Sequence, residues 1–264
     1  IFTSRTIAKN KRRNTMGIDL AKMKAKREAL ENRGNGKNSF WRPDDGETVI
    51  RILPTSDGDP FKEFWFHYNL GKNHGFLSPK KNFGEDDPLN DFVRQLYSEG
   101  SDESIKMAKN LSARQRFFSP VVVRGEEDKG VRLWGFGKTA YKELLNLVLN
   151  PDYGDITDVD QGTDLVINYG KPPGAQFPQT TIVPRRKSSP LTENSDKVAG
   201  MLDSIPNYDD VFESARKTPA EIQVMLDEYL LGEEDAEDMS AESSKYQSSA
   251  PESVVDKAFE ELLG

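Results

Sequence analysis

Aromatic and cationic side chains interleave in three short blocks: Trp65, Phe66, Tyr68, Lys72, Phe76, Lys80, Lys81 and Phe83; then Arg114, Arg116, Phe117 and Phe118; then Arg132, Trp134, Phe136 and Lys138. This combination suits single-stranded nucleic acid, because cations follow the phosphates while ring faces stack on unpaired bases at roughly 1–3 kcal/mol per base. Two stretches carry cations and no acid. Lys106 to Arg124 holds five, and Leu165 to Leu191 holds Lys171, Arg185, Arg186 and Lys187. In a segment that is otherwise acidic, such clustering predicts a local electropositive groove. The candidate single-strand-binding residues are Trp65, Tyr68, Lys72, Phe76, Lys80, Lys81, Arg114, Arg116, Phe118, Trp134, Phe136, Lys138, Tyr169, Lys171, Arg185, Arg186 and Lys187. Alternate strand positions face opposite sides, so about half of these aromatics belong to a core. The pattern alone does not say which half.

No catalytic constellation accompanies them. There are two histidines, His67 and His74, no cysteine, and no GxxxxGK[ST] or HExxH pattern. Gly135-x-Gly137-Lys138 is too short for a phosphate loop and reads as a tight strand-to-helix turn. His67 lies within an aromatic strand and reads as a packed or stacking side chain rather than a metal ligand. The expectation is a protein that is not an enzyme and holds no metal or cofactor.

The formal charge of −8 and a pI near 5.1 conceal an end-to-end asymmetry. Residues 1–43 carry a net +9, residues 227–264 a net −10 and the segment between them −7. A basic start with an acidic end points to nucleic-acid contact combined with an interaction tail, against the plainer reading of two solvated tails. The absence of cysteine fits a reducing compartment. No apolar run is long enough to span a membrane and no secretory segment follows the basic start, so a soluble intracellular protein without a membrane partner is expected.

The elements that must position these residues follow from local pattern. Residues 1–15 precede Met16 and could be upstream translation. Ile18 to Leu30 reads as a short basic helix carrying Lys22, Lys24, Lys26 and Arg27. Thr48–Leu53 and Phe61–Asn69 read as two strands forming a hairpin across the Asp57-Gly58-Asp59-Pro60 turn. Residues 84–112 read as an insertion with helices at 86–98 and 101–111. Phe117–Arg124 and Val131–Phe136 flank a Gly125–Gly130 turn, and an amphipathic helix is predicted at 138–150. Thr163–Tyr169 and Gln179–Val183 complete the strands. The fold class expected is mainly β with α insertions, an OB-fold core in the form of a five-stranded Greek-key barrel. Its boundaries are a basic arm at 1–43, the core at 44–217, and a helix plus acidic tail at 218–264. Thr218-Pro219-Ala220-Glu221 is a capping-box start for a helix running to Gly232. Residues 233–253 have the composition of disorder, and Val255, Phe259, Leu262 and Leu263 form an apolar stripe suited to docking on a partner.

Four stretches carry a family resemblance: Val49-Ile50-Arg51-Ile52-Leu53-Pro54, Arg116-Phe117-Phe118-Ser119-Pro120-Val121-Val122-Val123, Leu133-Trp134-Gly135-Phe136-Gly137-Lys138 and Asn168-Tyr169-Gly170-Lys171-Pro172-Pro173-Gly174. In this order and spacing the chain resembles the single-stranded DNA-binding, helix-destabilising proteins of T-even-like tailed bacteriophages, particularly the branch infecting marine cyanobacteria. The resemblance implies an OB-fold core, cooperative coating of single strands by neighbouring copies through the N-terminal arm, and an acidic tail that recruits replication, recombination and repair proteins. It places the protein in the cytoplasm of an infected bacterial host. It also implies a structural zinc held by one His and three Cys after the second strand, which a chain without cysteine cannot build in that form; residues 84–112 must then be held by packing. The reading from another class is an acidic adaptor or assembly protein whose OB-like core binds protein.

Overall fold

The computed structural model describes residues 40–238. The arm residues Lys22, Lys24, Lys26 and Arg27 and the stripe Val255, Phe259, Leu262 and Leu263 lie outside them. Eight strands form one mixed sheet: β1 (Phe40–Trp41), β2 (Gly46–Ile52), β3 (Lys62–His67), β4 (Phe76–Leu77), β5 (Arg114–Val123), β6 (Arg132–Phe136), β7 (Leu165–Gly170) and β8 (Gln179–Pro184). The main path runs β1-β6-β5-β2-β7-β8, with β1 parallel to β6; β3 joins β5, and β4 joins β3. The chain therefore has a β-rich core with helices packed on it.

The ten-residue β5 organises the sheet. Its first half pairs with β3 (Phe118 opposite Lys62, Arg114 opposite Phe66), and its last residues pair with β2 (Val121 opposite Ile52). The expected hairpin between β2 and β3 is thus corrected: the two strands do not pair with each other but take successive places along one edge of β5. Pro54 and Pro60 bracket their connection and can donate nothing to a shared ladder. Pro120 marks the changeover. Its carbonyl accepts from Leu53 N at 3.0 Å, so its missing N–H faces the gap between β3 and β2, where a proline costs no ladder bond.

Several helices begin at a capping side chain. α1 (Pro79–Phe83) is capped by Ser78, α2 (Pro88–Glu99) by Asp87 and α3 (Asp102–Leu111) by Ser101, each side chain accepting from a first-turn N–H. α4 (Lys138–Val148) starts at the Gly137 turn. α5 (Ser195–Asp203) and the short α6 (Tyr208–Val211) follow β8. α7 (Pro219–Asp238) opens on a reciprocal box in which Thr218 N donates to Glu221 Oε2 at 2.7 Å and Glu221 N to Thr218 Oγ1 at 3.3 Å. It runs past Gly232, where the sequence pattern placed its end.

Both faces of the sheet are covered. On one, Ile50, Phe117, Val121, Trp134, Phe136 and Leu165 pack with Leu144 of α4. On the other, Phe66, Tyr68 and Phe118 pack with Phe212. The insertion is a helical lobe in which Leu89, Val93 and Leu111 pack against Ile222 and Leu226 of α7. Packing does hold this segment, with α7 supplying part of it. Among the described residues no helix is long and apolar enough to cross a membrane.

Candidate nucleic-acid interface

The double coverage of the sheet decides which aromatics are available. Tyr68, Phe76, Phe118, Trp134 and Phe136 are between 1% and 5% exposed. Their rings are bound up in ring-on-ring contacts, Trp134 with Phe136 at 4.5 Å and Phe118 with Phe212 at 4.9 Å between centroids. Placing these five among the stacking residues is corrected: they are core, because the faces they point to meet α4, the Tyr208–Ala215 segment or, for Phe76, the helical lobe. Tyr68 is further closed by Gly75, where a Cβ would stand 2.6 Å from its ring. Burial pushes its hydroxyl pKa up, with Arg116 and Arg114 opposing.

Trp65 and Tyr169 remain half-buried, with part of each ring open to solvent. Trp65 is held from all sides. Its N donates to Asn82 Oδ1 at 2.9 Å, its carbonyl accepts from Asn82 Nδ2 at 2.7 Å and from Ser78 N at 2.9 Å, and its indole Nε1 donates to Glu63 Oε1 at 2.9 Å. Lys81 Nζ lies 5.4 Å above the ring, a cation–π contact. α1 thus delivers a lysine to the tryptophan face while its own cap residue and Asn82 fix the tryptophan backbone.

The register divides the nearby cations between the two faces of the sheet. Gln115 of β5 is opposite Trp65 and shares its face, whereas Arg114 and Arg116, opposite Phe66 and Phe64, point to the other face. Arg114 is exposed and Arg116 half-buried. Arg116 Nη1 also comes within 3.9 Å of where a Gly137 Cβ would be, beside exposed Lys138. Trp65 and Lys81, with Lys80 beside it on α1, therefore form one group, while Arg114 and Arg116 point from the other face of the sheet and Lys138 is exposed at the β6–α4 turn. A second group sits at the end of the β7–β8 hairpin: Tyr169, whose hydroxyl accepts from Arg42 Nη2 at 3.0 Å, and exposed Lys171. Arg185, Arg186 and Lys187 are exposed on the return from β8. Lys72 goes elsewhere, lining a groove along α7 with His74, Lys217 and Glu221.

Three open rings lie outside the candidate residues, although Phe83 belongs to the first block. Tyr97 on α2 is 45% exposed, its hydroxyl 3.4 Å from Ser112 Oγ and so close to Arg114 along the chain. Phe83 carries Arg216 at 4.2 Å over its ring. Phe177 is 68% exposed in the acid-free loop after Lys171. A lone aromatic in a Pro- and Gly-rich loop was the available signal for Phe177, since a loop has no buried face to receive it.

A family model described as gp32 DNA binding protein like matches residues 44–223. No curated protein matches the sequence.

Proposed function

With more than half of its length matched, this chain belongs to the gp32-like DNA-binding protein family, and we propose that it coats single-stranded DNA through the Trp65 platform and the cations around it. The family is one of DNA-binding proteins rather than enzymes. The observation that carries the reading is the half-open tryptophan with a lysine over its face. An arriving base takes the place of the ammonium over the ring, and Lys81, on its four-carbon stem, turns to the adjacent phosphate. The second group, with Tyr169, Arg42 and Lys171, and the Arg185–Lys187 run extend the track of cations. In an infected bacterium, of cyanophage type by its quoted motifs, such a coat would serve replication, recombination and repair.

A titration with single-stranded DNA, duplex DNA and RNA at two salt concentrations tests this. Single strands should bind more tightly than duplex, with log K falling by about 0.7 per phosphate neutralised for each decade of salt. Equal affinity for duplex, or indifference to salt, defeats the reading; binding to none of the three returns the adaptor class.

The charged ends complete the proposal. Lys22, Lys24, Lys26 and Arg27 act between neighbouring copies on the strand. The acidic tail competes with phosphates for the same cations, and its stripe Val255, Phe259, Leu262 and Leu263 docks on replication and recombination proteins. Because α7 continues to Asp238, the informative tail truncation starts at residue 239. Removing residues 1–33 should reduce cooperative binding to long DNA while affinity for a short oligonucleotide holds. Removing residues 239–264 should tighten DNA binding at low salt, where screening is weakest, and abolish partner capture; Phe259→Ala should affect capture alone. Unchanged cooperativity in the first truncation, or unchanged low-salt affinity in the second, counts against the respective role.

A further inference from the structure

The helical lobe is joined to the sheet by a buried polar chain. His67, the last residue of β3, has its Nε2 3.0 Å from Asp87 Oδ2 and its Nδ1 3.1 Å from the carbonyl of Leu111, the last residue of α3. Ser78 Oγ donates to the same Asp87 Oδ2 at 2.5 Å, and Asp87 Oδ1 accepts from Asn90 N at 3.0 Å. The His67 and Asp87 side chains are 0% exposed, and Ser78 is fully buried. Leu111 O and an ionised carboxylate can only accept, so the ring satisfies both when each nitrogen carries a proton. Three separate pieces of chain meet here: the end of β3, the cap of α1 together with the cap of α2, and the end of α3.

The zinc that the family resemblance implies belongs to this part of the chain, and the residues present do not fit it. A structural zinc takes four nitrogen or sulfur ligands in a tetrahedron. Here one imidazole, one carboxylate and one hydroxyl are bonded to one another, no thiolate exists, and among the described residues no group of three or more candidate ligands comes together.

We infer that His67, Asp87 and Ser78 form a metal-free clasp that fastens the helical lobe to the sheet and acts as a set of positioning residues for Trp65 and Lys81. Ser78 is the pivot of the second role. Its side chain belongs to the clasp and caps α1, its backbone N–H bonds the Trp65 carbonyl, and α1 carries Lys81 and Asn82. A shift of Asp87 therefore reaches the tryptophan through one residue. The positioning role rests on the Trp65 platform proposed above; the fastening role does not.

The test uses the full chain. Metal analysis should find far less than one zinc per chain, and a chelator should leave the melting temperature in place. Asp87→Asn keeps the α2 cap, because an asparagine oxygen still accepts from Asn90 N, but removes the charge and one acceptor. It should lower Tm by roughly 10 °C and speed amide exchange in residues 79–99 by on the order of 100-fold, leaving β7 and β8 protected. Ser78→Ala should give a smaller loss in the same segment and stands in if Asp87→Asn does not fold. Single-strand affinity should fall in both, whereas Trp65→Ala should lower affinity with exchange unchanged. About one zinc per chain with Tm lost on chelation overturns the clasp, as does unchanged exchange in both variants. If the lobe loosens yet affinity holds while Trp65→Ala weakens it, the positioning role is overturned and the platform stands; if Trp65→Ala has no effect on affinity, the platform fails and the fastening role is judged by exchange alone.

Discussion

Replacing Asp164 with alanine is expected to lower folding stability by about 3–5 kcal/mol, the usual consequence of stranding a buried charge. Asp164 serves two guanidinium groups at once: Arg51 Nε donates to its Oδ1 at 2.9 Å, and Arg124 Nη2 donates to the same oxygen at 2.9 Å. The Arg51 side chain is 1% exposed and that of Asp164 8%. Burial pulls the Arg51 pKa down, and Asp164 is the main group opposing it. Without the carboxylate, two like charges are left facing each other, hydrogen-bonded to carbonyls and a hydroxyl and with the Asp158 carboxylate as a weaker counter-charge to Arg51. Those contacts matter in their own right. Arg51 Nη2 donates to Ser189 O at 2.8 Å, and Arg124 Nη1 to Leu191 O at 2.6 Å, so the pair also tethers the return segment that begins with Arg185, Arg186 and Lys187.

The expected fall in Tm is roughly 6–20 °C for a chain of this size, read by calorimetry, with faster proteolysis at 185–190. Asp164→Asn, which keeps the shape, should reproduce most of the loss if charge is the cause. Gly162→Ala should act on the same corner by sterics, since a Cβ there would stand 2.2 Å from Asp158 O and 2.8 Å from Arg51 Nη1. A loss below about 1 kcal/mol for Asp164→Ala, within the range of an exposed ion pair, would mean that water reaches the network and replaces the carboxylate.

What the sequence disclosed follows the range of the interactions involved. Helices α2, α3, α4 and α7 were legible as elements, and for the last two the signals are local: the apolar 3.6-residue spacing behind the Gly137 turn and the Thr218-Pro219 capping box both mark starts that the structure keeps. The strands were legible as runs but their partners were not. Nothing within Thr48–Leu53 says that it pairs with β5 and β7 rather than with its neighbour in sequence. Arg51 illustrates the same limit. It was visible as part of a stretch that carries the family resemblance, while its partners Asp164 and Ser189 lie more than 100 residues away. The aromatics failed for a different reason. Alternation separates core from surface when one face of a sheet is wet, and here Phe64, Phe66 and Phe118 face one covered side while Phe117, Trp134 and Phe136 face another. Only chain position near the β3–β5 edge distinguishes Trp65, and that is set by α1, an element too short to show a period.

Trp65→Ala should therefore reduce affinity for a short single-stranded oligonucleotide by roughly 5- to 150-fold, the range of 1–3 kcal/mol for one stacked base, with little change in Tm. The ring is half-buried and its backbone bonds to Asn82 and Ser78 survive the substitution, so fold and platform separate. Lys81→Ala removes the cation over the ring and one phosphate contact; it should weaken binding less and reduce the slope of log K against log salt by about 0.7. The buried rings give the opposite pattern. Phe118→Ala leaves a cavity amid Phe64, Phe66 and Phe212 and should cost about 3–5 kcal/mol of stability, with affinity per folded molecule maintained. The comparison is made by fluorescence titration at fixed salt alongside thermal melts for each variant. The platform is refuted if Trp65→Ala binds as tightly as the parent. If it weakens binding only as far as its Tm falls, Trp65 contributes to the fold and the bases stack on the other open rings, Tyr169, Tyr97 and Phe177.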